Sequence, residues 1–68
     1  MALAKRSFSL AGHRTSVALE PEFWDALAEI AERRRQTVSA LVAAIDAERT
    51  PEQPLASSLR IFALRARP

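Results

Sequence analysis

The sequence holds no cysteine, no tyrosine, one glycine and one histidine among its 68 residues. Without cysteine there is no disulfide framework, and a lone histidine builds no metal site. The same shortages, with no glycine-rich phosphate loop, leave nothing from which to assemble a nucleophile, a base and an oxyanion site. Catalytic and metal-binding roles are therefore excluded, and no cofactor is implied. Carboxylate pairs such as Glu29 and Glu32 are ordinary on a solvated helix face. No apolar run approaches the length of a membrane span, and no apolar segment of the signal-peptide kind follows Lys5-Arg6. The expected setting is the cytoplasm, with no membrane contact.

A domain of this size buries only about 60% of its unfolded surface and often needs a staple or a partner. With disulfides and metals gone, oligomerisation remains. Hydrophobic residues make up 49% of the chain, enough for a core and too many for disorder. Much of that fraction is alanine, so the large apolar side chains are few.

Net charge is +2, but the distribution says more than the sum. Residues 1–19 carry Lys5, Arg6 and Arg14 and no acid. Residues 20–32 carry Glu20, Glu22, Asp25, Glu29 and Glu32 and no base. Basic charge returns at Arg33-Arg34-Arg35 and at Arg60, Arg65 and Arg67. The acid-free start makes one positive surface.

The chain is organised around Arg14-Thr15-Ser16-Val17-Ala18-Leu19, which runs straight into Glu20-Pro21-Glu22-Phe23-Trp24. Val17 and Leu19 alternate with Ser16 and Ala18, the period of a strand with one face inside. Pro21 suits the first helical turn and holds Glu20 extended. The strand is expected over 13–19. No second strand of comparable clarity follows, and a lone strand leaves a row of unpaired N–H and C=O groups. The economical partner is the same strand of a second copy, antiparallel across a two-fold axis. On this reading the isolated chain is largely unfolded. Such a two-stranded ribbon also has the dimensions to enter the DNA major groove.

Residues 1–12 read as an N-terminal arm, either strand-like or extended, since Phe8 and Leu10 alternate with Ser7 and Ser9, or else a disordered tail. Gly12 punctuates arm from strand, and His13 is a polar turn residue rather than a ligand or base. A first helix is predicted over 21–34. Phe23, Leu27 and Ile30 form its apolar stripe beside Trp24, with acids in its first half and arginines at its end, as the helix dipole favours. Thr37 offers the N-cap of a second helix over 38–49, whose stripe is Val38, Leu41, Val42 and Ile45. The free N–H groups at Thr37, Val38 and Ser39 make a candidate anion site. Residues 50–54 form a linker with two prolines. A third helix follows over 55–65, with Leu55, Leu59 and Phe62 in register. It is expected to pack across the dimer or to extend its interface, and an exposed stripe would dock another protein through Leu59, Ile61 and Phe62.

With these elements in place the chain resembles the ribbon-helix-helix proteins, the fold of Arc-like and MetJ-like repressors. The resemblance rests on Thr15 to Leu19, on Pro21-Glu22-Phe23-Trp24-Asp25-Ala26-Leu27, and on Thr37-Val38-Ser39-Ala40-Leu41-Val42. More closely it is similar to a small bacterial group with an Ala11-Gly12-His13-Arg14-Thr15-Ser16 motif and a later Leu55-Ala56-Ser57-Ser58-Leu59-Arg60 segment. It covers nearly the whole chain. It implies a mostly helical fold in which one strand per chain pairs with the partner's strand in an intertwined homodimer, with residues 13–49 as the core unit. It implies a dimer core of Val17, Leu19, Phe23, Trp24, Leu27, Ile30, Leu41, Val42 and Ile45. With Val17 and Leu19 inside, Arg14, Ser16 and Ala18 face outward as base readers. Arg14 suits guanine O6 and N7, Ser16 several base edges, and Ala18 a thymine methyl. Phosphate contacts fall on Thr37, Val38 and Ser39, with Lys5 and Arg6 of the arm adding backbone contacts.

Two departures stand out. Arg35-Gln36 replaces the glycine usual between the helices, so either the turn differs or it accepts the roughly 1 kcal/mol that a non-glycine residue costs in left-handed backbone. The reading face also carries a single long polar side chain. The expected function is a sequence-specific DNA-binding transcriptional regulator, a repressor, in the bacterial nucleoid. It is a homodimer, or a tetramer if dimers pair again. The alternative is an antitoxin-like protein–protein interaction module that reads DNA weakly or not at all.

Overall fold

In the computed structural model, which describes residues 2–66 and so leaves Arg67 outside, two strands lead into three helices. They are β1 (Ala4–Leu10), β2 (His13–Leu19), α1 (Pro21–Arg33), α2 (Val38–Glu48) and α3 (Leu55–Ala66). The fold is mostly helical.

β1 pairs antiparallel with β2 of the same chain, Ala4 opposite Leu19 through Leu10 opposite His13. The expectation of one strand per chain is therefore corrected, and of the readings of the arm the strand-like one holds over Ala4–Leu10. A two-residue turn makes the local pairing. Ala11 (φ 51°) and Gly12 (φ 82°) both take the left-handed backbone that twists a hairpin the right way. Gly12 adopts this freely, whereas Ala11 is strained, by about 1 kcal/mol. The hairpin satisfies one edge of β2 within the chain, which removes the premise that an isolated chain must be unfolded. Each strand keeps one free edge.

Phe8, Leu10, Val17 and Leu19 project from one face of the hairpin onto the helices and are buried. Trp24 of α1 fixes the start of β1. Its Nε1–H donates to the Ala4 carbonyl at 2.7 Å, its ring lies 5.7 Å from that of Phe8, and the Arg6 guanidinium covers it at 4.9 Å. Leu27, Ile30, Ala31, Leu41, Val42, Leu59 and Ala63 complete the core, with Phe23 and Ile45 partly buried against it. The residues assigned to a two-chain core thus pack inside a single chain.

Helix α3 also packs on its own chain, against α1, α2 and β2. This corrects the expectation that it crosses to a partner. Leu59 is fully buried, so it docks nothing from outside, while Ile61 on the opposite side is exposed. Arg60 explains part of this seating. Its Nε donates to Glu20 Oε1 at 3.0 Å and a terminal nitrogen to Oε2 at 3.4 Å, while the guanidinium lies 5.9 Å from the Phe23 ring. α3 is thereby tied to the junction of β2 and α1.

Glu20's own backbone N–H, and then Arg60, hold its carboxyl below the ordinary 4.5. A carboxylate with a depressed folded pKa contributes stability above its unfolded value and loses it as pH falls through the folded one. Glu20→Gln should therefore be less stable than the parent in urea at pH 7, and the gap should close on acidification below about pH 4. A gap that is constant with pH would show that the ionised pair is not what Glu20 contributes.

The turn between α1 and α2 keeps its strain rather than avoiding it. Arg35 sits at φ 55°, the Arg35 N–H donates to the Glu32 carbonyl and that of Gln36 to the Ala31 carbonyl, both at 3.0 Å. This is the Schellman pattern, built here without glycine. Thr37 then opens α2, its Oγ1 accepting from the Ala40 N–H at 3.0 Å.

Candidate nucleic-acid interface

In an antiparallel pair, residues directly opposite one another lie on the same face. Lys5 stands opposite Ala18, Ser7 opposite Ser16 and Ser9 opposite Arg14. These six residues make up the outer face of the hairpin, and the Ser7 and Ser16 hydroxyls bond across it at 3.1 Å. Five are exposed and Ala18 is half-buried. The face holds two cations, three hydroxyls and a methyl, with no acid and no large apolar group. It is a two-stranded ribbon, positive, hydrogen-bonding and low in profile.

The structure brings Arg14, Ser16 and Ala18 together on this face, and it adds Lys5, Ser7 and Ser9. The face therefore has two long polar side chains where the sequence indicates one. Lys5 and Arg6, neighbours in sequence, project to opposite sides of the ribbon. Arg6 lies over the Trp24 ring, where cation–π attraction and its own stem help to seat β1. Ser7 and Ser9 were legible as the outward partners of Phe8 and Leu10 once Ala11-Gly12 is taken as a hairpin turn.

Thr37, Val38 and Ser39 form the first turn of α2, with the Thr37 hydroxyl oxygen already engaged as the cap. The N–H groups of Val38 and Ser39 have no carbonyl four residues back inside the helix, which leaves them to an external acceptor. The Arg33-Arg34-Arg35 run is accounted for within the fold. Arg33 faces Glu29 at 3.6 Å and donates to the Ala66 carbonyl at 3.2 Å. Arg34 stacks over Phe62 at 5.1 Å, and Arg35 forms the turn.

Among the described residues no cluster of three or more His, Cys, Asp or Glu could hold a metal ion, and no helix is long and apolar enough to cross a membrane.

None of the curated proteins matches the sequence. A solved structure that resembles the fold is that of an uncharacterized protein from Bordetella pertussis Tohama I. It is 34% identical, with a TM-score of 0.79 over 94% of this chain. The chain spans 54% of that protein's length. A family model described as "Ribbon-helix-helix domain" matches residues 3–66, from the residue before β1 to the last residue of α3. That match takes in the hairpin, the Pro21 junction, the turn at Arg35 and all three helices, and the chain belongs to the ribbon-helix-helix domain family.

Proposed function

We propose that this protein is a DNA-binding transcriptional regulator, a repressor acting in the bacterial cytoplasm at the nucleoid. One observation supports it most: the acid-free outer face of the ribbon, with Arg14, Ser16 and Ala18 on one strand and Lys5, Ser7 and Ser9 on the other. The free edge of β2 gives a second copy its place. Pairing β2 with its counterpart across a two-fold axis forms a homodimer whose centre carries Arg14, Ser16 and Ala18 twice.

The major groove is about 12 Å wide and strands are about 4.8 Å apart, so the central pair of strands enters while the β1 strands flank it. Arg14 then takes guanine O6 and N7, Ser16 a base edge and Ala18 a thymine methyl. Lys5 meets phosphate at the groove wall, and the start of α2 at Thr37, Val38 and Ser39 anchors another phosphate. Arg6, on the inner face, supports the ribbon rather than the DNA.

Fluorescence anisotropy of a labelled random-sequence duplex, at two salt concentrations, tests this reading. Binding should weaken by about 0.9 log units per log of salt for each phosphate neutralised. No binding at low salt would sink it and favour the protein-interaction reading of the family fold.

A further inference from the structure

Ser7 stands opposite Ser16 in the hairpin, and their hydroxyl oxygens are 3.1 Å apart. This is the one side-chain hydrogen bond on the outer face among the described residues. It falls where the strands bring side chains closest. Leu10 and His13 flank the two-residue turn and are a hydrogen-bonded pair. The two kinds of pair alternate from there, so Ser7 and Ser16, three steps on, are a non-hydrogen-bonded pair with their Cα atoms about 4.5 Å apart.

An exposed serine hydroxyl on its own is a rotor with one proton and two lone pairs. Every base pair offers both a donor and an acceptor in the major groove, so a free rotor finds a partner on any of them and discriminates little. Two hydroxyls bonded to each other hold two protons, and the bond takes one. If Ser16 gives its proton to Ser7, it meets a base only as an acceptor. If it takes the proton of Ser7, its own proton is aimed away from β1 and one lone pair remains. In either direction the Ser16 oxygen is held in place and part of its capacity is used up. Arg14, opposite Ser9, has no such tether among the described residues.

We infer that Ser7 is a positioning residue for base reading, which holds the Ser16 hydroxyl in one orientation and so sharpens the base preference under Ser16. This rests on the DNA-reading function proposed above. Ser7 itself touches no base. It lies on β1, one strand spacing of about 4.8 Å further from the centre of the ribbon than Ser16.

The test uses the full chain. An operator is first selected from random duplexes with the parent, and affinities are then measured for every single base-pair change in it. Ser16→Ala marks the base pair that Ser16 reads. Ser7→Ala should flatten the preference at that same base pair by about threefold to tenfold, the discrimination carried by one neutral hydrogen bond. It should leave intact the guanine preference that Arg14→Ala removes. Ser7→Thr, which keeps the hydroxyl on a residue suited to strands, should restore the preference. The double variant Ser7→Ala/Ser16→Ala should be no flatter than Ser16→Ala alone. A bond that only steadies the hairpin, or a phosphate contact from Ser7, would instead weaken all duplexes alike in Ser7→Ala, and that outcome overturns the inference. So does a parent-like profile in either Ser7→Ala or Ser16→Ala. A parent that selects no sequence at all removes DNA reading itself, and the role of Ser7 with it.

Discussion

Trp24→Ala should destabilise the chain by about 3–5 kcal/mol, the range for emptying a buried aromatic site. That is a large share of what so small a domain has. Trp24 is 1% exposed and makes three contacts with β1. Its indole N–H holds the first carbonyl of β1, its ring packs on Phe8, and its outer surface carries Arg6. Removing the ring leaves a cavity under the hairpin, and removing the N–H takes away the hydrogen bond to the Ala4 carbonyl. Trp24→Phe keeps most of the packing and should cost nearer 1 kcal/mol for the hydrogen bond, plus what the smaller ring loses in contact. Urea unfolding of both variants, with hydrogen exchange over residues 4–10, measures this directly. If Trp24→Ala lost less than about 1 kcal/mol and residues 4–10 kept their protection, the docking of β1 onto α1 would be the wrong account of how the strand is held.

Arg14→Ala should cost operator binding about 2–6 kcal/mol in a two-fold dimer, at about 1–3 kcal/mol for each bidentate guanine contact. Most of that loss is discrimination. Affinity for random duplex should fall far less, so the two affinities converge. Lys5→Ala should behave differently. A phosphate contact carries no sequence information, so selected and random duplexes should weaken together and the salt slope should shrink by about one phosphate per copy. Both side chains lie on the same face, Lys5 opposite Ala18 and Arg14 opposite Ser9, which makes the pair an internal control. Should Arg14→Ala leave the selected operator bound as tightly as before, the ribbon face would not be the reader, whatever else binds DNA.

The helical part of the fold was plain in the sequence because its signals are local. The change of period at Glu20-Pro21, the Thr37 cap, the prolines of 50–54 and the stripe of Phe23, Leu27 and Ile30 each act within a few residues. At Arg35 the sequence left a different turn and a strained one both open, and the structure takes the strained one, with Arg35 in left-handed backbone. β1 was less visible for a specific reason. Its inward position 6 holds an arginine, so Lys5-Arg6-Ser7 breaks the alternation that Phe8 and Leu10 begin. Arg6 stays exposed on that side, its guanidinium over the Trp24 ring, and that ring lies 18 positions further along the chain.

The sequence alone therefore settled the types of β2 and the three helices, the acid-free character of the first 19 residues and the membership of Arg14, Ser16 and Ala18 in one outward row. Alternation says which side chains share a face. It says nothing about which strand supplies the hydrogen bonds along the edge, and that choice fell to β1 of the same chain through the Ala11-Gly12 turn. Periodicity likewise gave α3 an apolar stripe without saying what covers it. The packed helices put Leu59 in the core and left Ile61 outside. Strand pairing and helix seating are decided by contacts between distant residues, where burial of Trp24, Leu19 and Leu59 outweighs any local preference.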